Sequence, residues 1–485
     1  MKRVLLIVVG IIILVAAAAV IAPSFIDWNK YKSEIAGPIE RATGRSLVMK
    51  GDLSLSVLPT PRVSASDVRL STAGGDRDFL TLRSLEVQVA LWPLLRGEIQ
   101  VTSVRLVEPE VFLEVDAEGS PNWQFNTSAG ESVSDGATGN GAAISVERVV
   151  VANGVLNFVD AANGRSERIE AITATLKAAN LVDGPFAAEG RFSLRQQAVG
   201  FDLALGSLAD RGGVPLRAKL ELERGGAVAT IQGNLSGLAG KPTLNAKVGF
   251  EGSDLREALS VVATLAGSDA SLIVPGAQSF SFTSQFVGNQ EMIALNELAL
   301  VIGETRATGA VSAALAAPLI VDVTVSLGRI DLDAWANAVA IETAASTDAA
   351  TDQGNADAPP SNPLDALAGF RGSLTLTGEA LTYRGSLVRQ LRLAARLADR
   401  AVELTALSAM LPGGSDISVS GRLATVDGQP RFDGAIEAAS SDFRAAAAWL
   451  GLPLEGIAPG RLRQVSLQSR IRATRELGQV LGIDL

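Results

Sequence analysis

Leu85-Glu86-Val87-Gln88-Val89 sets an apolar side chain at every second position with a polar one between, the period of a strand with one face turned to water. The same alternation recurs on either side of it, in Leu53-Ser54-Leu55-Ser56-Val57 and in Val111-Phe112-Leu113-Glu114-Val115. Pro59, Pro61, Gly74-Gly75, Gly97 and Pro109 lie between these runs and mark turns. The expected fold is therefore mainly β, an elongated and repetitive antiparallel sheet with short capped helices.

Upstream the period lengthens. Residues from Asp27 or Asn29 to Gly44 read as a short helix, with Tyr31, Ile35, Ile39 and Ala42 on one face, Gly44 as its stop and Gly37-Pro38 as a kink. Before it, Val4 to Ala22 is an unbroken apolar run behind Lys2 and Arg3. At about 1.5 Å per residue this run nearly matches a bilayer core of roughly 30 Å, so an uncleaved transmembrane anchor is expected, with a cleaved signal peptide as the rival reading. Only a charged stub precedes it, which places the residues from Pro23 onward on the far side of a bacterial inner membrane, in the periplasm.

Downstream, three stretches share one spacing. Gly233, Gly309 and Gly421 are each followed nine positions later by a proline, Pro242, Pro318 and Pro430. An aspartate comes 12 or 13 positions after that: Asp254, Asp331 and Asp442. Each aspartate precedes a short helical pattern and reads as an N-cap, with metal or ligand binding as the alternative. A unit of strand, turn, strand and capped helix buries one face only and needs neighbours to stack upon. Two biased stretches interrupt the array, one from Thr127 to Ala143 and an acidic one from Glu342 to Pro363. The expected division is a stub at 1–3, an anchor at 4–22, a β domain at 23–126, a linker at 127–143, β repeats at 144–341, an acidic linker at 342–363 and further β repeats at 364–485. That last block carries no evident capping element, as in a short or incomplete array.

Composition narrows the function. The 485 residues include no cysteine and no histidine, which removes thiol nucleophiles, disulfides, the usual imidazole base and the commonest transition-metal ligand. The acidic residues are scattered, so no enzyme, cofactor or metal site is expected. A net charge of −10 and the lack of a basic stripe argue against nucleic acid. With 47% hydrophobic and 19% charged residues, the chain carries apolar surface that must be covered by something.

Several short motifs follow the apolar run in order: Ile26-Asp27-Trp28, Tyr31, Ala42-Thr43-Gly44-Arg45, Gly51-Asp52-Leu53, Pro59-Thr60-Pro61, Trp92-Pro93-Leu94-Leu95-Arg96-Gly97, Asp116-Ala117-Glu118-Gly119 and Asn122-Trp123. Together they resemble the AsmA family of bacterial envelope proteins over about residues 1 to 125. These positions read as structural, with Trp92 and Trp123 closing the ends of a sheet. The resemblance implies a curved, apolar-lined trough, as in the chorein-type bridge proteins, that shelters and conducts phospholipid between inner and outer membranes and so supports outer-membrane biogenesis. The alternative it implies is a non-enzymatic scaffold or assembly factor for outer-membrane proteins. Candidate groove positions are Leu53, Leu55, Val57, Leu85, Val87, Val89, Leu91, Val111, Leu113 and Val115; the competing reading makes them the core of a sealed sandwich.

Overall fold

Alternating strands hydrogen-bond side by side and pool their apolar positions on one face, and here they do so through most of the chain. The computed structural model describes residues 27–57, 60–73, 75, 77–94, 96, 100–124, 146–179, 183–210, 212–238, 240–268, 277–336, 364, 369–398, 400–426, 429–452, 463–474 and 478–484. The expected anchor at 4–22 and both expected linkers lie outside these residues. Among the described residues no helix is long and apolar enough to cross a membrane. The chain divides into two units, Met1–Glu223 and Arg224–Leu485.

The first unit opens with a 3-10 turn, Trp28–Tyr31, and helix α1, Lys32–Thr43. Gly44 ends α1 at φ 69°, a left-handed value that glycine adopts freely, and its N–H bonds back to the Glu40 carbonyl. The strands are β1 (Leu47–Met49), β2 (Leu53–Ser56), β3 (Arg62–Ser71), β4 (Asp78–Val89), β5 (Val101–Val107), β6 (Glu110–Val115), β7 (Arg148–Asp160), β8 (Arg165–Ala178), β9 (Phe186–Leu194), β10 (Gln197–Leu205) and β11 (Val214–Leu222). A short helix, α2 (Leu91–Leu94), joins β4 to β5.

The second unit contains β12 (Ala227–Ser236), β13 (Thr243–Gly252), helix α3 (Leu255–Ala266), β14 (Phe280–Gly288), β15 (Met292–Ile302), β16 (Thr305–Ala314), β17 (Leu319–Asp331), β18 (Phe370–Tyr383), β19 (Ser386–Ala398), β20 (Ala401–Leu411), β21 (Ser415–Val426), β22 (Gln429–Ser440), helix α4 (Phe443–Leu450), β23 (Val465–Thr474) and β24 (Gly478–Asp484).

Among the described residues pairing is antiparallel except at one joint in each unit, so the sheet structure is mixed where an antiparallel sheet was expected. In the first unit β5 and β6 run parallel to β7, and in the second β17 runs parallel to β18 over twelve residue pairs. A parallel neighbour requires a long return connection, and the two longest inter-strand stretches, 116–147 and 332–369, fall at these joints.

Several strands are longer than regular alternation would sustain, and bulges keep them in phase. In the first unit Asp67, Glu108, Asn153 and Ala171 take φ between 45° and 60°, and each sits where the register shifts or a strand breaks. Ile169 precedes Ala171 on the apolar face; Ile172 and Ala174 follow it on that same face, so the bulge resets the phase. In β15 Glu297 (φ 52°) does the same between Leu295 and Leu298, and the Ser284 hydroxyl donates to the neighbouring Asn296 carbonyl at 2.8 Å.

The repeat glycines allow close approach across a strand pair. Gly233 faces Ala246, Gly309 faces Val325 and Gly421 faces Gly434. A Cβ at Gly309 would stand 2.1 Å from the Thr324 carbonyl oxygen, and one at Gly233 would stand 2.2 Å from that of Asn245. All three repeat aspartates cap helical segments: Asp254 accepts from the Glu257 N–H, Asp442 from the Ala445 N–H, and Asp331 from the N–H groups of Asp333 and Ala334.

Candidate functional site

Following the register from strand to strand traces lines of side chains across each unit. One line in the first unit reads Leu55, Val63, Val87, Val104, Val149, Leu176, Ala188, Leu203 and Ala218, from β2 to β11. The next reads Leu53, Ala65, Leu85, Leu106, Val151, Ala174, Gly190, Phe201 and Leu220. In the second unit a line from β12 to β23 reads Gly233, Ala246, Phe286, Leu295, Val311, Val323, Leu374, Ala395, Leu404, Gly421, Gly434 and Ile471. None of these lines contains a charged or polar side chain, and both kinds pass through the parallel joint without interruption. At about 4.8 Å per strand, the last covers roughly 50 Å.

These lines are only partly shielded from solvent. In β17, Leu319, Val321, Val323, Val325 and Leu327 are half-buried, while Ile320, Asp322, Thr324 and Ser326 between them are exposed. Every member of the long second-unit line is half-buried except Ala246, which is buried. A sandwich would press this face against a second sheet and bury it fully. Full burial occurs mainly at strand ends beneath helices, where Leu255, Ala258 and Val261 of α3 are inaccessible and the Phe250 and Phe280 rings meet at 4.9 Å. At the same ends Asp333 accepts from the N–H groups of Arg384 and Gly385, and Trp449 of α4 donates from its indole to the Tyr383 carbonyl at 2.9 Å.

The opposite face is polar. Gln468 donates to Glu437, Ser326 and Thr377 bond to each other, and Arg431 and Arg472 both pair with Asp433. Hydrogen bonds from Arg472, then Arg431, hold the Asp433 carboxyl below its ordinary value. Two clefts of about 810 and 780 Å³ open on this polar side; the first lies among Arg392, Ser408, Asp416, Glu437 and Gln468. Their walls carry charges of both signs.

The expected groove residues separate into three groups. Leu55, Val87 and Val89 stand half-buried in the sheet, as do Val111, Leu113 and Val115, with Val111 facing Leu80 and Leu156 and with Leu113 facing Phe158. Leu53 is a core residue, 6% exposed, clustered with Ala65, Val68 and Leu82 beneath Trp28; Leu85 packs against the same cluster. Val57 falls just past the end of β2, and Leu91 begins α2 instead of continuing β4. Trp92 does not close a sheet end: it is 75% exposed. Trp123 does pack, with its ring 6.3 Å from that of Phe158.

One constellation was not legible in the sequence. The Arg45 guanidinium is buried, lies 4.3 Å from the centroid of the Phe79 ring, and donates to the Asn122 carbonyl across 77 residues of chain. Burial lowers its pKa. Two motifs that are remote in sequence, at 44–45 and 122–123, are thereby joined.

These features define a class: a repetitive β protein whose sheet leaves a long apolar face open and ties its strand ends with capped helices. The AsmA family model matches residues 1–232, and over that stretch the chain is similar to the AsmA family. No curated protein and no solved structure matches it. That similarity is consistent with envelope-associated lipid transport or outer-membrane biogenesis.

Proposed function

We propose that the apolar face shelters acyl chains and conducts phospholipid between the inner and outer membranes, from a chain anchored by residues 4–22 with its bulk in the periplasm. The observation that carries this reading is the set of apolar lines, half-open to solvent, that run unbroken within each unit. Three such lines side by side would be about 14 Å wide along the strand direction, close to the roughly 15 Å of one leaflet's hydrocarbon. Each methylene moved from water onto such a floor contributes about 0.8 kcal/mol, so a two-chain lipid strongly prefers it to solution. No catalytic step is involved, and neither a cofactor nor nucleic acid takes part.

Photo-crosslinking tests the proposal, with probes at Val87 and Val323 on the apolar lines and at Glu86 and Thr324 on the other face. Phospholipid adducts confined to Val87 and Val323 are the expected result. Adducts mainly to outer-membrane proteins would instead favour the assembly-factor reading, in which a sheet edge or face engages client strands.

A further inference from the structure

Trp92 is the most exposed large apolar side chain described, at 75%, and Leu94 beside it is 39% exposed. Hiding them in water-free surroundings is favourable, yet nothing among the described residues of the first unit covers them. Their position indicates what does. Ser56 of β2 faces Arg62 of β3, Arg62 faces Gln88 of β4, and Val89 faces Val101 of β5, so α2 projects from that end of the sheet.

The chain enters the unit on the same half. The Asn29 side chain accepts from the Leu53 N–H at 3.0 Å, Trp28 packs on the Leu53 cluster, and α1 then runs to the other end, where Leu47 faces Leu70. Leu53 lies across from Ala65 and hence Leu85, which is about 13 Å along β4 from Val89. Four residues separate Ala22, the last of the apolar run, from Asp27, a reach of at most about 18 Å. Trp92 thus projects from the end of the unit nearer to Asp27, the first described residue.

We propose that the loop carrying Trp92 and Leu94 sits in the headgroup region of the bilayer that residues 4–22 enter, giving the first unit a second point of attachment. This rests on the anchored reading above. The residue types suit the site: indole rings favour the membrane interface, and the exposed cations Arg96 and Lys30 match lipid phosphates. A single helix lets a domain swivel about it; a second contact fixes which end of the apolar face meets the membrane.

The sequence has no cysteine, so single labels can be placed in the full chain. W92C, L94C and N163C would carry an environment-sensitive fluorophore and be reconstituted into phosphatidylethanolamine–phosphatidylglycerol vesicles. Asn163 is the control, because β7 starts at the α2 end and finishes at Asp160, which puts the 161–164 turn at the opposite end. The expected result is blue-shifted emission and loss of quenching by aqueous dithionite at 92 and 94, with full quenching at 163. In protein that resists alkaline extraction, equal quenching at all three sites overturns the seat and leaves the anchor standing. Release of the chain by alkaline extraction overturns both. A benzophenone at 92 that captures a protein and not phospholipid in native membranes also overturns the seat.

Discussion

Arg45 shows how one side chain can hold distant segments together. Its guanidinium joins the α1–β1 corner to the chain after β6 through Asn122 and lies against Phe79. Replacing it with leucine leaves the Asn122 carbonyl without this donor, and we expect a loss of about 2 kcal/mol or more, read as a lower unfolding midpoint. Arg45→Lys should recover only part, because an ammonium keeps the charge but not the planar fork. Glycines make a complementary case. At Gly309 a methyl group would collide with a backbone oxygen 2.1 Å away, so Gly309→Ala should cost about 2 kcal/mol, whereas Gly240→Ala, with nothing within 4 Å, should stay within about 0.5 kcal/mol in the same melt.

At the scale of elements, Asp254→Ala and Asp442→Ala should each cost about 1 kcal/mol in denaturant unfolding, the usual value of a lost cap. A change in calcium or magnesium affinity on these substitutions would contradict the capping role that their hydrogen bonds define. These helices were legible because a glycine, a proline and an aspartate recur at fixed spacing, each with a local physical task. Strand identity was legible wherever alternation was regular, as in β2, β4 and β17. It was obscured where a bulge resets the phase: around Ala171 and Glu297 the apolar positions shift from odd to even, and a period-two reading loses the face. Leu91 read as a strand position because nothing before Trp92-Pro93 signals that β4 stops at Val89. The burial of Leu53 was not legible either, since it comes from Trp28 folding back over a residue 25 positions away. Parallel joints leave no local trace, because they depend on where a returning strand docks.

At the scale of the molecule, the open apolar face separates two outcomes for one substitution. Val323→Glu puts a carboxylate in the middle of the long line. On a solvent-accessible floor the charge stays hydrated, so stability should fall by only about 1 to 2 kcal/mol while lipid adducts at neighbouring positions disappear. In a sealed core the same change would cost several kcal/mol and unfold the unit. Circular dichroism melts beside crosslinking distinguish the two. The joint between β17 and β18 bears on how such a surface tolerates damage. β18 begins level with the start of β17, so the intervening chain must retrace about 40 Å, but the twelve-pair ladder is held by backbone hydrogen bonds and not by that tether. Strand order there is set by pairing and not by covalent succession. A protease nick between residues 342 and 363 should accordingly leave two fragments that co-purify, with the greasy surface unbroken across the cut.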